Sequence, residues 1–328
     1  MSNTNSYGWP DTISGTQTPQ PDPQVIEQIV GCFVGNNKKT IFITGITGFL
    51  GRNLSKYIWY NYKNKYNIIG MGISPNKISN FKNIRRSWGA TYHDIPIHLI
   101  DIVHDNHKLE QIFKDNKIDY VIHCAALKYI DIANKQPEQT INININGTLN
   151  ILKLCKKYNI ENLIALSTDK ANKPINTYGM TKFLMEELVK TYNYTIYQGV
   201  NFFWSDGSVL DVWYRQIKKK EHLCVTNFNH ERHYSTIKDI CKDLINNLDN
   251  KNAFLTPSHI FKIKLLDLFN SFVKYFNYDT SKCFIMGERD NEKFIEDLTN
   301  EKKYKNLTEV EITQYIKNEI ENGELSVV

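Results

Sequence analysis

One octapeptide limits the folds open to this chain more than any other feature: Thr44-Gly45-Ile46-Thr47-Gly48-Phe49-Leu50-Gly51. Its glycines fall at i, i+3 and i+6. A short β-branched run, Thr40-Ile41-Phe42-Ile43, precedes it, and an amphipathic stretch from Gly51 to Tyr62 follows. A strand feeding a helix through such a turn is the fingerprint of a dinucleotide-binding βαβ unit. Gly45 permits the tight turn. Gly48 lets backbone N–H groups approach a pyrophosphate, and Gly51 lets the helix pack closely on the strand. The helix N-terminus adds partial positive charge. Thr47, Phe49 and Leu50 complete the turn and are expected at the same ligand.

The rest of the chain agrees with that start. Strand signals recur at Tyr66 to Ile73, Ile97 to Ile100, Tyr120 to Cys124 and Leu163 to Leu166. Helical patterns lie between or after them at Leu109 to Asn116, Gly147 to Tyr158 and Thr181 to Tyr192. This alternation predicts an α/β fold: a doubly wound parallel sheet with right-handed crossovers. After about Asn201 the alternation decays. We therefore expect an N-terminal extension over 1–36, polar and marked by Pro19, Pro21 and Pro23. A dinucleotide-binding domain should span 37–200 and regain about 232–255. Residues 201–231 and 256–328 should form a smaller C-terminal substrate-binding cap.

Composition narrows the function classes. Lys and Arg number 40 against 35 Asp and Glu, a net charge of +5. Over 328 residues that is mild, and it predicts neither a nucleic acid nor a membrane as partner. Cys32, Cys124, Cys155, Cys224, Cys241 and Cys283 form no CxxC pair and have no histidine at ligand spacing, so no metal site is expected. Scattered cysteines of this kind fit reduced thiols and a cytoplasmic setting. No apolar run reaches the ~18 residues of a membrane span. The polar N-terminus lacks the apolar core of a secretory signal.

Cofactor choice is read after the second strand, where an NAD site places an acid. Here the stretch is Gly72-Ile73-Ser74-Pro75-Asn76-Lys77. Ser74 and Lys77 could receive a 2′-phosphate, with Arg85 and Arg86 near, which favours NADP over NAD; a solvated loop lysine is the plain alternative for Lys77. Asp101, with Ile102, follows the third strand and is placed for the adenine, or for a helix cap. Ala125 and Ala126 follow the fourth, small enough for a cofactor to lie against their backbone, and Lys128 comes next.

A second cluster follows the fifth strand, which ends in Ser167-Thr168-Asp169-Lys170. About ten residues on, Tyr178 and Lys182 stand four apart, so on a helix they share a face. An ammonium beside a phenol favours the phenolate, which can take a hydroxyl proton as hydride leaves. Tyr-x-x-x-Lys is common on solvated helix faces. At the carboxyl edge of a doubly wound sheet, with an acid and an amine alongside, it reads as a site.

Together these residues resemble the extended short-chain dehydrogenase/reductases. Within them the match is to inverting UDP-N-acetylglucosamine 4,6-dehydratases and related polysaccharide-biosynthesis dehydratases. The matching stretches are TGITGFLG at 44–51, HCAALKYI at 123–130, NINGT at 144–148 and STDKANKPINTYGMTK at 167–182, with weaker matches to 298. The resemblance implies that Tyr178 takes the C4 hydroxyl proton of a UDP-sugar, supported by Lys182, and that Thr168 orients the sugar. It implies Lys170 as the C5 base and Asp169 as the acid at C6. It adds Asn144 to the cofactor site, and Lys128, Asn201, Arg232, Arg289 and Glu292 to the UDP-sugar site. It also implies a homo-oligomer. The chain departs from the family at Gln198-Gly199-Val200-Asn201, where Arg-x-Gly-Asn is usual, and at Trp204. The alternatives are a UDP-hexose 4-epimerase, against which Asp169 and Lys170 argue, and a non-catalytic nucleotide-binding scaffold.

Overall fold

The computed structural model describes residues 38–287, 293–298 and 304–321. The expected 1–36 extension lies outside the described residues. β1 (Lys39–Thr44) is buried from Thr40 onward. Its side chains alternate between two cores, Ile41 and Ile43 in one and Phe42 in the other, as in a central strand covered on both faces. α1 (Phe49–Tyr62) buries Leu50, Leu54 and Ile58, four apart, against the first core. β2 (Tyr66–Gly72), α2 (Pro75–Ser87), β3 (Ile97–Leu99), α3 (Asn106–Asp115) and β4 (Tyr120–His123) follow. α4 (Ile130–Lys135) and α5 (Pro137–Ile141) lead through a π-helical turn at Asn142–Asn146 into α6 (Gly147–Lys157). Then come β5 (Asn162–Thr168), α7 (Thr177–Thr191) and β6 (Thr195–Gly199).

Beyond them lie β7 (Asn201–Phe202), α8 (Val209–Lys218), β8 (Leu223–Val225) and β9 (Glu231–Ser235). α9 (Ile237–Asn246), β10 (Phe254–Leu255), β11 (Phe261–Lys264) and α10 (Leu265–Tyr275) succeed them, then β12 (Cys283–Ile285), β13 (Lys305–Asn306) and α11 (Glu309–Glu321). Seven strands form one sheet in the order β10-β6-β5-β4-β1-β2-β3. Every pairing in it is parallel. The order reverses between β1 and β4, so the crevice of the sheet opens at their carboxyl ends.

α9 returns to this sheet: Ile237, Ile240, Cys241 and Leu244 join the core that holds Leu54 and Ile58 of α1. A third core is separate and aromatic. Trp213, Phe269 and Phe272 centre it, with Phe203, Trp204, Phe261, Ile312 and Ile316 around them. Trp213 meets Phe269 edge-on at 5.5 Å between ring centroids. The four-stranded sheet β13-β11-β9-β7 and the pair β12-β8 frame it.

The doubly wound parallel sheet is as the alternation predicts, but it carries two strands more than the five read there. β10 is two residues long, below any periodic signal, and β6 ends in Gln-Gly just where the pattern decays. α7 starts at Thr177, four residues before the expected Thr181. Asn176 is the reason: its Oδ1 accepts from Gly179 N at 2.8 Å and caps the helix.

The turn geometry explains the third glycine of the octapeptide. A Cβ on Gly51 would lie 2.5 Å from Gly45 O and 2.6 Å from Ile46 Cα, both backbone. Gly51→Ala should therefore cost about 2 kcal/mol or more of stability, because backbone cannot step aside as a side chain can. Urea unfolding measures this; an unchanged midpoint would contradict the packing.

Candidate active site

The carboxyl ends of β1 and β4 are strapped together. Thr44 Oγ1 accepts from the backbone N–H groups of Cys124 and Ala125, each at 3.1 Å. It also meets His123 Nδ1 at 2.8 Å, while His123 Nε2 reaches Thr148 Oγ1 at 2.9 Å. Burial, helped by the charge of Lys182, pulls the His123 imidazole down to about 3 and keeps it neutral. Gly45 takes φ +65°, and a Cβ there would stand 2.9 Å from the Ala125 backbone. The glycine turn and the 124–126 loop thus form one floor, too close for side chains. Gly48 N–H closes the turn on Gly45 O at 2.9 Å. α1 starts with no side-chain cap and no acid in its first turn, so its N-terminal N–H groups and dipole suit an anion. Thr47 is buried beside Gly72. Phe49 and Leu50 are core side chains, so they can serve this floor through their backbone alone.

Ser74 caps α2, its Oγ accepting from Lys77 N at 3.3 Å, and Lys77 is exposed in the first turn of that helix. Several residues expected near the cofactor also make bonds within the protein. Arg85 is buried and donates to Ile95 O. Asp101 Oδ1 accepts from Val103 N at 2.8 Å and His104 N at 3.3 Å, so its carboxylate caps its own loop. Ile102 packs in the core against Gly147. Asn144 is a strut: Oδ1 accepts from Leu127 N at 2.8 Å, and Nδ2 donates to Leu127 O at 3.1 Å and Thr181 Oγ1 at 3.0 Å. It fixes the 125–128 loop through bonds that leave its amide saturated.

At the end of β5, Thr168 Oγ1 donates to Asp169 Oδ1 at 2.9 Å, and Lys170 Nζ lies 3.2 Å from the same oxygen. Asp169 is 1% exposed. Burial and then the Glu296 charge push its carboxyl up to about 7, against the pull of Lys170. Gly179 brings α7 onto this turn, since a Cβ there would meet Lys170 O at 2.3 Å. Tyr178 follows. Burial pushes its phenol up to about 12, and Lys170 is the cation that opposes this.

Lys182 Nζ is turned to the sheet, donating to Leu166 O and lying 3.2 Å from Met185 Sδ. Burial brings it down to about 8.

Lys170 Nζ also lies 2.6 Å from Glu296 Oε1 and 3.2 Å from Asn201 Oδ1. Asn201 Nδ2 donates to Glu296 Oε2 at 2.7 Å and to His233 O at 3.0 Å. Arg232 Nε stands 3.6 Å from Glu296 Oε1, and its Nη1 donates to Phe294 O at 3.0 Å. Burial alone would lower the Lys170 pKa, but Asp169 and Glu296 outweigh it and raise it. Burial would raise Glu296, but Lys170 and Arg232 bring it down to about 2. The structure thus gathers Asn201 and Arg232 around the same charge as Lys170. Lys128 sits apart, Nζ donating to Asp206 O at 2.8 Å; the Asp206 carboxylate takes Arg52 of α1 at 3.1 and 3.2 Å. Arg289 and Glu292 lie outside the described residues.

Sequence reasoning passed over Glu296. It stands in the charged stretch 293–298, whose pattern reads as a solvated surface, and no spacing there signals burial. A pocket lined by Ile130, Lys170, Ile175, Asn176, Lys293 and Glu296 opens onto the pair. Among the described residues no group of three or more His, Cys, Asp or Glu side chains is placed to hold a metal. Nor is any described helix long and apolar enough to cross a membrane.

The sequence profile of the family described as polysaccharide biosynthesis protein matches residues 41–318. The chain is 30% identical over 231 residues to the UDP-N-acetylglucosamine 4,6-dehydratase (inverting) of Campylobacter jejuni. That match covers 66% of this chain and 65% of the relative, just under two thirds of the relative's length. Among solved structures, the dTDP-glucose 4,6-dehydratase of Bacillus anthracis in complex with NAD superposes with a TM-score of 0.72 at 16% identity, covering 88% of this chain and 98% of that one. The UDP-glucose 4-epimerase of Thermotoga maritima with UDP-glucose gives 0.70 at 19% identity, covering 79% and 89%. At these identities the structural likeness speaks for the fold.

The buried His123 makes stability depend on pH. The unfolded imidazole binds a proton below about 6.5, whereas the folded one resists until about 3. Its contribution is complete above the unfolded value and is lost as pH falls from about 6.5 toward 3, at up to ~1.4 kcal/mol per pH unit. Urea unfolding across that window should show a shallower slope for His123→Gln than for the natural chain. Equal slopes would contradict a neutral, buried His123.

Proposed function

The chain belongs to the family of polysaccharide biosynthesis proteins, within the extended short-chain dehydrogenase/reductases, and on that premise we propose that it is a nucleotide-sugar 4,6-dehydratase that inverts C5. Its substrate in this reading is UDP-N-acetylglucosamine, and its product a UDP-2-acetamido-2,6-dideoxy-L-hexos-4-ulose. The observation that carries the reading is the Asp169–Lys170 pair, buried beside Tyr178 at the carboxyl edge of the sheet. Acid and amine in one water-poor site are what removal of water across C5 and C6 needs. A 4-epimerase, such as the Thermotoga maritima neighbour, needs a base at the C4 hydroxyl and no such pair.

The cradle fits a dinucleotide. Gly45, Thr47 and Gly48 would hold the pyrophosphate through backbone, with the open N-terminus of α1. Ser74 and Lys77 would take a 2′-phosphate, so NADP is preferred to NAD. Ala125, Ala126, Tyr178 and Lys182 would border the nicotinamide end. A bound dinucleotide would supply hydride-transfer chemistry between C4 and C6 of the sugar. The remaining work falls to the chain. Tyr178 takes the C4 hydroxyl proton, and Thr168 orients the sugar. Lys170 removes the C5 proton, acidified by the neighbouring 4-keto group. Asp169 protonates the C6 oxygen, which leaves as water, and C5 regains a proton on the opposite face. Arg232, Arg289, Glu292, Asn201 and Lys128 would serve the UDP moiety.

We further read the chain as a cytoplasmic homo-oligomer. Ile132, Ile141, Met180, Phe183 and Leu184, on α4, α5 and α7, are all exposed by 40% or more, an apolar face that a second copy would cover.

Incubation with UDP-N-acetylglucosamine in deuterated water, followed by NMR and mass spectrometry, tests the reaction. Loss of one water, deuterium at C5 and an L-configured 4-keto sugar are expected. An unchanged formula with the C4 epimer would move the chain to the epimerases. Tyr178→Phe should lower kcat at least about 100-fold with little change in folding; a variant of full activity would remove Tyr178 from the chemistry.

A further inference from the structure

Glu296 performs no step above, yet it stands at the middle of the site. It arrives on the 293–298 segment, which touches β9 through a Glu231–Ile295 bridge. Its side chain is 3% exposed. A buried carboxylate must be compensated. Lys170, Arg232 and Asn201 do this for Glu296. Asp169 is served unevenly. Its Oδ1 meets Thr168 and Lys170, but among the described residues no hydrogen-bond donor reaches its buried Oδ2. The like charge acting on it is Glu296. A proton resolves both conditions: a neutral Asp169 carboxyl turns Oδ2 into a donor, and a carboxylate beside it is a ready acceptor.

We propose that Glu296 is a positioning residue: it keeps the proton of the buried cluster on Asp169, so that Asp169 enters the cycle as the acid. This rests on the dehydratase reading. Two carboxyl groups around one buried ammonium do not both ionise readily, and the one with more cationic neighbours takes the charge. Among the described residues, Glu296 has Lys170 and Arg232, and Asp169 has Lys170. Without the Glu296 charge, Asp169 and Lys170 become a simple ion pair, and the proton owed to the C6 oxygen is lost.

Other titratable and charged groups face the cluster: Tyr178, His233, Arg232, Lys293 in the same pocket, and His230, 3.4 Å from Arg232 Nη2. Tyr178 of α7 is pushed up to about 12. His233 of β9 is lowered by burial and stays neutral. Arg232 of β9 remains cationic.

Glu296→Gln keeps a side chain of the same shape and an acceptor for Asn201, and removes the charge. With the full chain and UDP-N-acetylglucosamine, kcat should fall at least about tenfold at about pH 7.5 and recover only below about pH 5, where an ion-paired Asp169 regains its proton. KM should change by less than about twofold, and Glu296→Asp should restore most of the rate. An infrared titration without substrate reads the same proton. Between about pH 6 and about pH 8 a protonated-carboxyl band should titrate in the natural chain and be absent in both Asp169→Asn and Glu296→Gln. A loss equal at every pH, or confined to KM, with the band unmoved in Glu296→Gln, would overturn the proposal. If the natural chain leaves UDP-N-acetylglucosamine unaltered, the dehydratase reading fails, and the infrared titration alone decides whether Glu296 governs Asp169.

Discussion

The close approach of three backbone segments governs this molecule. Gly45 touches the Ala125 backbone, and Gly51 touches the carbonyl of Gly45. Side chains at either glycine would wedge β1, α1 and the loop after β4 apart. With them absent, Thr44 can strap Cys124 and Ala125 to the end of β1, and Asn144 can brace the next turn of that loop through Leu127. The floor of the crevice is therefore made of backbone. Backbone amides and a helix N-terminus favour a phosphate-bearing ligand over an apolar one, and the crevice lies where the strand order reverses.

The opposite wall is built on charge. Asp169, Lys170, Arg232 and Glu296 lie within one buried network whose contacts run from 2.6 to 3.6 Å. Clusters of this kind are weak contributors to stability, because desolvation offsets the attraction. What they supply is a fixed distribution of protons. Here burial and like charge raise one carboxyl to about 7 while paired cations lower its neighbour to about 2. Carboxyl groups pushed apart in this way mark acid and base roles. The network also joins the turn after β5 to β9 and to the 293–298 segment. A substitution on either of these distant stretches should thus be felt at Asp169.

Much of this was legible in the sequence where the signal is local. The glycine spacing, the strand–helix alternation and the Thr168-Asp169-Lys170 run before Tyr178 all act within a few residues, and the sheet, the turn and the cluster follow them. Tertiary contacts add what local signals do not carry. β10 has two residues and exists by pairing with β6. Asp101 and Asn144 carry the right chemistry at the right chain positions, and the structure also engages their polar atoms locally. Lys182 lies four residues from Tyr178, and its ammonium donates to the Leu166 carbonyl. Glu296 has the opposite history: a charged stretch that reads as solvent-facing is folded inward, and only its partners reveal it.

The account centres on hydride that leaves C4 and returns at C6 of the same sugar while the buried pair removes water between them. The most direct measurement uses UDP-N-acetylglucosamine carrying deuterium at C4, with the product analysed by NMR and mass spectrometry. The account predicts a dehydrated product with the deuterium at C6 of the same molecule. Deuterium still at C4, in a sugar that has kept its water and changed its C4 configuration, would contradict it.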